Sequence, residues 1–157
     1  TITSTAFQNN ESIPAKYTCD GENFSPPLVF SEIPENAQSL VLIVDDPDSP
    51  SKDFTHWLIY NIPPSTRQSI EKQVPPGSTQ GMTDFGQVGY GGPCPPSGTH
   101  RYFLDFSVLI RFLICRKVLQ KRLCRKRWKV MFWDPQNSLG YTKGAKAISS
   151  QSKQQAL

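Results

Sequence analysis

Residues 39–51 read SLVLIVDDPDSPS, an apolar run that passes directly into a cluster of carboxylates and prolines. The β-branched stretch 39–44 is typical of a strand that is covered on both faces. Each proline lacks an amide hydrogen and fixes its own φ, so the pattern predicts that the carboxylates from Asp45 onward lie in a loop. Loops at the ends of rigid strands commonly carry binding residues.

A second segment, residues 84–103, reads DFGQVGYGGPCPPSGTHRYF. Glycine lets the backbone come close to a ligand and proline stiffens a loop, so this composition predicts a preorganised pocket rim. The chain has two histidines, His56 and His100, and one lies near each polar segment. An isolated Asp-Pro-Asp is usually a solvated turn, and a histidine beside a tryptophan is usually packed. The pairing of both segments with a histidine favours a functional site.

Short apolar runs separated by turn residues predict an all-β fold rather than a helical bundle. Strands are expected near residues 2–7, 28–30, 40–44, 57–62 and 101–108. The 14 prolines and 10 glycines punctuate these runs. A length of 157 residues suits a single domain over residues 1–157. No apolar stretch approaches the ~20 residues of a membrane-spanning helix.

Several motifs together resemble the phosphatidylethanolamine-binding protein family, and in particular its bacterial and archaeal Raf-kinase-inhibitor-like branch. They are residues 13–21 (IPAKYTCDG), 25–28 (SPPL), 46–50 (DPDSP), His56 with Asn61, and 98–102 (GTHRY). The resemblance covers about residues 1–103. It implies a mostly antiparallel β sandwich with few short helices, and a small pocket for anionic groups such as phosphate or a phosphoethanolamine head group.

By motif position, the resemblance assigns eight residues to this pocket or its rim: Asp46, Asp48, Pro50, His56, Gly92, Cys94, His100 and Tyr102. Each histidine can donate a ring N–H to phosphate oxygens, and an aspartate can orient an imidazole or meet an ammonium group. Tyr102 lies two residues from His100 and shares its face of a strand. Arg101 points to the other face, where a structural salt bridge is expected.

Non-catalytic binding of a small phosphate-bearing or zwitterionic ligand is therefore the predicted function, without catalytic residues, metal or cofactor. The alternative is a small hydrolase or metal-dependent enzyme that uses the Asp and His side chains. The sequence has no Gly-x-Ser-x-Gly motif and no paired metal-ligand spacing, which disfavours both. Modulation of a protein partner such as a kinase is implied by the resemblance alone.

Charge divides the chain in two. Through Leu104 there are 5 Lys and Arg against 11 Asp and Glu, a net charge of −6, and from Asp105 there are 12 against 2, a net charge of +10. The basic run at residues 116–129 is typical of a solvated helix face, or of a C-terminal arm that binds nucleic acid or membrane.

A third interpretation is that residues 105–157 were translated in a shifted reading frame. The codons of the stretch 131–134 (MFWD) force Val-Leu-Gly in the neighbouring frame, and permitted codons elsewhere restore an amphipathic helix and a final strand typical of the family. This interpretation predicts an irregular segment after about residue 108, and no nucleic-acid partner.

The four cysteines have no Cys-x-x-Cys spacing. Because Cys115 and Cys124 fall in the segment of doubtful frame, Cys19 and Cys94 are the pair to interpret. Two cysteines so distant in sequence are expected to be reduced thiols in a cytoplasmic protein, with a disulfide between them as the less favoured alternative. The opening residues resemble the family's own first strand, which also favours the cytoplasm.

Overall fold

The structure is a computed structural model that describes residues 1–51, 53–109 and 146–150. Eight strands and one short 3-10 helix make up the described elements, which confirms the all-β prediction. The strands are β1 (Ile2–Thr3), β2 (Leu28–Phe30), β3 (Ser39–Asp46), β4 (Phe54–Ile62), β5 (Gln68–Ser69), β6 (Thr79–Gln80), β7 (Thr99–Leu109) and β8 (Lys146–Ser150). The 3-10 helix spans Ala15–Tyr17.

These strands form two antiparallel sheets. The smaller has the order β1-β2-β5, and the larger has the order β6-β4-β3-β7-β8. The two-residue strands β5 and β6 both arise from the segment 63–82, so this connection supplies an edge strand to each sheet. The antiparallel sandwich that the resemblance implies is therefore confirmed.

Strand β3 is central because its side chains are apolar on both faces. All eight of its residues are buried, and it pairs with β4 on one side and β7 on the other. The strand includes Asp45 and Asp46, so the prediction that the loop begins at Asp45 is wrong. Asp45 still pairs with both neighbouring strands, and the chain turns only where Pro47 removes an amide donor.

The main core lies between the two sheets. Its members come from both: Ile2, Leu28 and Phe30 from the smaller sheet, with Leu40, Leu42, Val44, Trp57, Ile59, Ile62, Leu104 and Phe106 from the larger. The rings of Phe30 and Phe106 meet across the interface at 5.4 Å between centroids. This contact fixes which face of the larger sheet is internal: it is the face that carries Val44 on β3 and Leu104 on β7.

A β-bulge interrupts β4 beside this core. Val44 pairs with Trp57, but the next residue, Asp45, pairs with Thr55, so His56 is an extra residue with no partner on β3. A bulge of this kind breaks the alternation of a strand and redirects a side chain. Strand β4 can therefore place Trp57 in the core and turn the adjacent His56 toward the same end of the sandwich.

The segment expected to be irregular, after about residue 108, lies mostly outside the described residues, as do the basic run 116–129, Cys115 and Cys124. The exception is β8, where residues 146–150 pair with β7 from Thr99 to Phe103. For those five residues the expectation of irregular structure is wrong, because the edge of β7 offers backbone donors and acceptors to any extended segment.

Candidate functional site

Four of the predicted site residues converge at one end of the larger sheet. Asp46 ends β3, His100 and Tyr102 lie on β7, and His56 occupies the bulge in β4. All four are buried, with relative exposures between 0% and 8%. The ring centroids of His56 and Tyr102 are 5.0 Å apart, and Asp46 contacts His100. Residues 46, 56, 100 and 102, distant in sequence, thus form one polar cluster.

The Asp46 carboxylate orients His100. His100 Nδ1 lies 2.7 Å from Asp46 Oδ2, while Asp46 Oδ1 accepts the backbone N–H of Asp48 at 2.9 Å. The second bond is an Asx turn, which suits the Asp-Pro-Asp sequence and holds the carboxylate where the strand ends. Because the carboxylate accepts at Nδ1, that nitrogen carries a hydrogen, and Nε2 is the nitrogen left to meet a ligand.

His56 is held by carbonyl groups instead. Its Nδ1 donates to the carbonyl oxygens of Gly91 at 2.9 Å and Gly92 at 3.2 Å. Since a carbonyl can only accept, the neutral ring carries its hydrogen on Nδ1 and leaves the Nε2 lone pair free to accept. Burial lowers the pKa of His56, against the smaller raising effects of those carbonyls and of Asp46. His56 is therefore a neutral imidazole near pH 7.

Tyr102 brings a phenol into the cluster. Burial raises the pKa of Tyr102, with Asp46 adding to the effect, so the hydroxyl keeps its hydrogen. That hydroxyl is buried and lies near the Cys94 backbone and Asp46, yet no hydrogen bond of proper geometry satisfies it within the described residues. An unsatisfied buried hydroxyl costs free energy unless a water or ligand oxygen completes it.

The Asp48 carboxylate pairs with Arg101. It accepts the backbone N–H and the guanidinium Nε of Arg101, at 2.9 and 2.7 Å. The Arg101 side chain holds the pKa of Asp48 down at about 2. The Asp48 carboxylate is thus engaged by Arg101, and it is the Asp48 backbone N–H, not the carboxylate, that bonds to the site residue Asp46. The predicted salt bridge of Arg101 is present with this partner. Pro50 is exposed in the following turn.

The rim segment 91–94 lies against the segment 15–23. The Gly92 N–H donates to Asn23 Oδ1 at 2.8 Å, and the Cys19 N–H donates to the Pro93 carbonyl at 3.0 Å. A Cβ on residue 92 would overlap Asn23 and the Tyr17 carbonyl, so the close approach requires glycine. The same short segment supplies the carbonyls that bind His56.

Cys19 and Cys94 form a disulfide, so the prediction that they are reduced thiols is wrong. Their Cα atoms are 5.4 Å apart although 75 residues separate them in sequence. Sequence distance was a poor guide, since both cysteines lie in Pro- and Gly-containing motifs that fold onto the same rim. Reduced thiols were one of the two arguments for a cytoplasmic location, and the disulfide removes that argument.

Sequence reasoning missed the aromatic side chains around His56. Phe54 and Phe85 place their rings 5.2 and 5.1 Å from the imidazole, both edge to face. Phe85 is 43% exposed, which is unusual for a large apolar side chain beside a buried polar cluster. The bulge at His56 was also missed, because neither periodicity nor composition reveals an extra residue within a strand.

A separate groove of about 460 Å³ lies away from this cluster. Glu22, Trp57, Lys72 and Tyr90 are among its lining residues, and it includes none of Asp46, His56, His100 and Tyr102. The Lys72 ammonium is already paired with Glu22 at 3.1 Å and lies over the Phe24 ring. The charged side chains Lys72 and Glu22 of this groove therefore pair with each other. The polar cluster remains the better candidate site.

Within residues 1–51, 53–109 and 146–150, no three His, Cys, Asp or Glu side chains are grouped as metal ligands would be. In the same part of the chain no helix has the length and apolar character needed to cross a membrane.

Comparisons with known proteins agree with the fold and the motifs. The family model described as phosphatidylethanolamine-binding protein matches residues 3–154. The UPF0098 protein of Methanothermobacter thermautotrophicus is 55% identical over 109 residues, which span 66% of this chain and 72% of that protein. The names of the family and of this relative mention no reaction.

Two crystal structures are also similar. A phosphatidylethanolamine-binding protein homologue of Chlamydia trachomatis has a TM-score of 0.81 and 32% identity, covering 97% of this chain and 96% of its own. E. coli YbcL, described as a new member of the mammalian family, has a TM-score of 0.81 and 25% identity, covering 96% and 98%. The chain therefore belongs to the phosphatidylethanolamine-binding protein family.

Proposed function

We propose that this protein binds a small phosphate-bearing ligand at the cluster of Asp46, His56, His100 and Tyr102, without covalent chemistry. The observation that carries the proposal is the buried Asp46–His100 pair at 2.7 Å, which aims a ring nitrogen away from the carboxylate. A histidine held by a carboxylate is a strong donor when protonated, and phosphate oxygens are strong acceptors.

A second donor contributes to the recognition of an anion. The Tyr102 hydroxyl is buried and unsatisfied in the described residues, so a phosphate oxygen would supply the acceptor that it lacks. The Gly91 and Gly92 carbonyls only accept, from the His56 ring, so this segment contributes by orienting His56 and not by donating to the anion. The donors for the anion therefore come from β7, where the His100 ring and the Tyr102 hydroxyl belong to one buried cluster.

His56 has a different role from the one expected from sequence, where both histidines donate to phosphate. Because its Nδ1–H is given to two carbonyls, the neutral ring offers only an acceptor at Nε2. The ligand should therefore carry a hydrogen as well as phosphate oxygens. A monoprotonated phosphate meets this requirement, and so does the ammonium group of a phosphoethanolamine head group.

Binding without catalysis is favoured over hydrolysis for a chemical reason. The neutral His56 could act as a base, but no serine or cysteine hydroxyl or thiol is seen beside it in the described residues, and Cys94 is held in a disulfide. A role in modulating a protein partner such as a kinase stays a prediction from the family resemblance. The same holds for the expected cytoplasmic location.

The proposal is tested by calorimetric titration of inorganic phosphate and O-phosphoethanolamine into the protein and two variants. His100→Ala removes one charge-assisted hydrogen bond of roughly 1.5–3 kcal/mol, so its affinity should fall about ten- to a hundredfold. Arg101→Ala is the matched control, because the adjacent side chain points to the other face and pairs with Asp48. Its affinity should stay within about twofold of the parent value. Equal affinities of the parent protein and His100→Ala would exclude His100 from the site.

A further inference from the structure

The Cys19–Cys94 disulfide lies where it can control the pocket. Both cysteines are exposed at the surface, so a dissolved or protein thiol can reach them. Exposure is the property that distinguishes labile or regulatory disulfides from those buried in a core. The bond joins two segments, 15–23 and 91–94. Apart from this bond, Cys19 and Cys94 are linked only through the 75-residue separation along the backbone.

One side of this bond is part of the proposed binding site. Cys94 follows Pro93, and the two preceding glycines supply the carbonyls that fix the His56 ring. The Cys94 backbone also lies near the Tyr102 hydroxyl. A displacement of Cys94 by one or two ångströms would therefore disturb the orientation of two of the four pocket side chains.

Without the disulfide, the rim is held by hydrogen bonds. The Gly91 N–H donates to the His56 carbonyl and the His56 ring donates to the Gly91 and Gly92 carbonyls, and three further bonds join the rim to its surroundings. The Cys19 N–H donates to Pro93, the Gly92 N–H donates to Asn23, and the Tyr90 hydroxyl donates to the Tyr17 carbonyl. Each of these hydrogen bonds makes a net contribution of only about 0.5–1.5 kcal/mol to stability. Conformations of the rim without these hydrogen bonds therefore become accessible once the disulfide is reduced.

We propose that the Cys19–Cys94 bond is a redox control of the pocket: the disulfide form holds the rim in its binding conformation, and reduction releases it. The proposal rests on the function proposed above. The reductant is a dithiol, such as dithiothreitol or a protein with two vicinal thiols.

The chemistry is thiol–disulfide exchange. One thiolate of the dithiol attacks Cys19 or Cys94 and forms a mixed disulfide, releasing the other cysteine as a thiolate that takes up a proton. The second thiol of the reductant then displaces the first cysteine and becomes part of a new disulfide. Two electrons and two protons pass from the dithiol to the protein, which gains two thiols.

The test compares phosphate affinity in the disulfide and dithiol states of the full chain. Mass spectrometry of the intact protein counts the hydrogens gained, and calorimetry gives the dissociation constant of inorganic phosphate in each state. If reduction lowers the binding-competent fraction to about one third, the constant rises about threefold. The Cys19→Ser/Cys94→Ser variant should bind as weakly as the reduced protein and should not respond to reductant.

A matched control distinguishes the effect of reducing the Cys19–Cys94 bond from any effect of the other two cysteines. Cys115→Ser/Cys124→Ser keeps the bond between Cys19 and Cys94, so its phosphate affinity should still fall on reduction. Amide hydrogen exchange gives a second readout: the N–H groups of Cys19 and Gly92, which bond across the rim, should exchange faster after reduction while those of β3 do not.

Each outcome decides the matter. Equal or tighter phosphate binding by the fully reduced protein overturns the redox control, and leaves the disulfide as a structural crosslink. A protein that fails to bind phosphate in either state overturns the proposed function and the redox control with it. Loss of affinity on reduction that the Cys19→Ser/Cys94→Ser variant reproduces supports both.

Discussion

The two histidines of the site belong to one buried cluster, yet they are held in opposite ways. His100 on β7 gives its Nδ1–H to a carboxylate, whereas His56 in the β4 bulge gives its Nδ1–H to two backbone carbonyls. A carboxylate stabilises the charged imidazolium, and carbonyls in a buried setting orient the ring without a full counter-charge. The partner of Nδ1 therefore determines whether Nε2 of the same ring donates or accepts.

The largest expected effect comes from removing the partner of His100. Asp46→Ala leaves a buried imidazole without its carboxylate, and we expect the free energy of unfolding to fall by about 3 kcal/mol. Asp48→Ala is the matched control two residues away, because its pair with Arg101 is partly exposed and should cost about 1 kcal/mol or less. Urea titrations of both variants give the two values. Similar losses for both would show that burial of the Asp46–His100 pair carries no special weight.

The second prediction concerns pH and separates the histidines from each other. The folded protein lowers the pKa of His56 below its ordinary value of 6.5, so the unfolded chain binds more protons just below that pH. The contribution of neutral His56 to the free energy of unfolding is fully present above about pH 6.5. It is lost as the pH falls through the folded pKa of His56.

Urea titrations between neutral and mildly acidic pH measure this loss. His56→Gln should remove the loss of stability below about pH 6.5, whereas His100→Gln should retain it, because His56 is intact in that variant. If His56→Gln shows the same pH dependence as the parent protein, the neutral state assigned to His56 is wrong.

The smallest effect is expected at the exposed side of the site. Arg101→Ala removes the guanidinium that holds the pKa of Asp48 at about 2, and this pKa should rise toward 3.8. A carboxyl-carbon NMR titration measures it directly. Stability at neutral pH should change by about 1 kcal/mol or less, since the pair is solvent-screened. An Asp48 pKa that stays near 2 in the variant would mean that the turn, and not Arg101, determines it.

Much of the sheet could be predicted because its signals are local. The apolar run of residues 40–44 and the alternation in residues 101–108 each identify a strand with small errors at the ends. Asp46, His100 and Tyr102 could be placed together because the motifs that carry them are long. The end of β3 was misjudged, since backbone pairing of Asp45 with two neighbours outweighs the low strand preference of aspartate.

The remaining errors are about tertiary structure. Whether Asp48 faces the pocket or Arg101, and whether Cys19 meets Cys94, depends on how distant loops pack, and local pattern contains no information on this. The interpretation of residues 105–157 as a shifted frame stays a prediction, which the DNA sequence of the codons for 102–106 can decide. The family model reaches residue 154, whereas the alignment to the archaeal relative spans 109 residues.

The bulge in β4 has a consequence for how the site can change over evolution. Because His56 is the residue without a partner on β3, deleting one residue between positions 54 and 56 could restore regular pairing without moving Trp57 in the core. A single in-frame codon loss could thus erase the second histidine from the pocket while sparing the hydrophobic sandwich. Substitutions change this site gradually, but a change in the length of β4 can abolish it in one genetic step. When related genes are compared, the number of residues in β4 is therefore as informative as their identity.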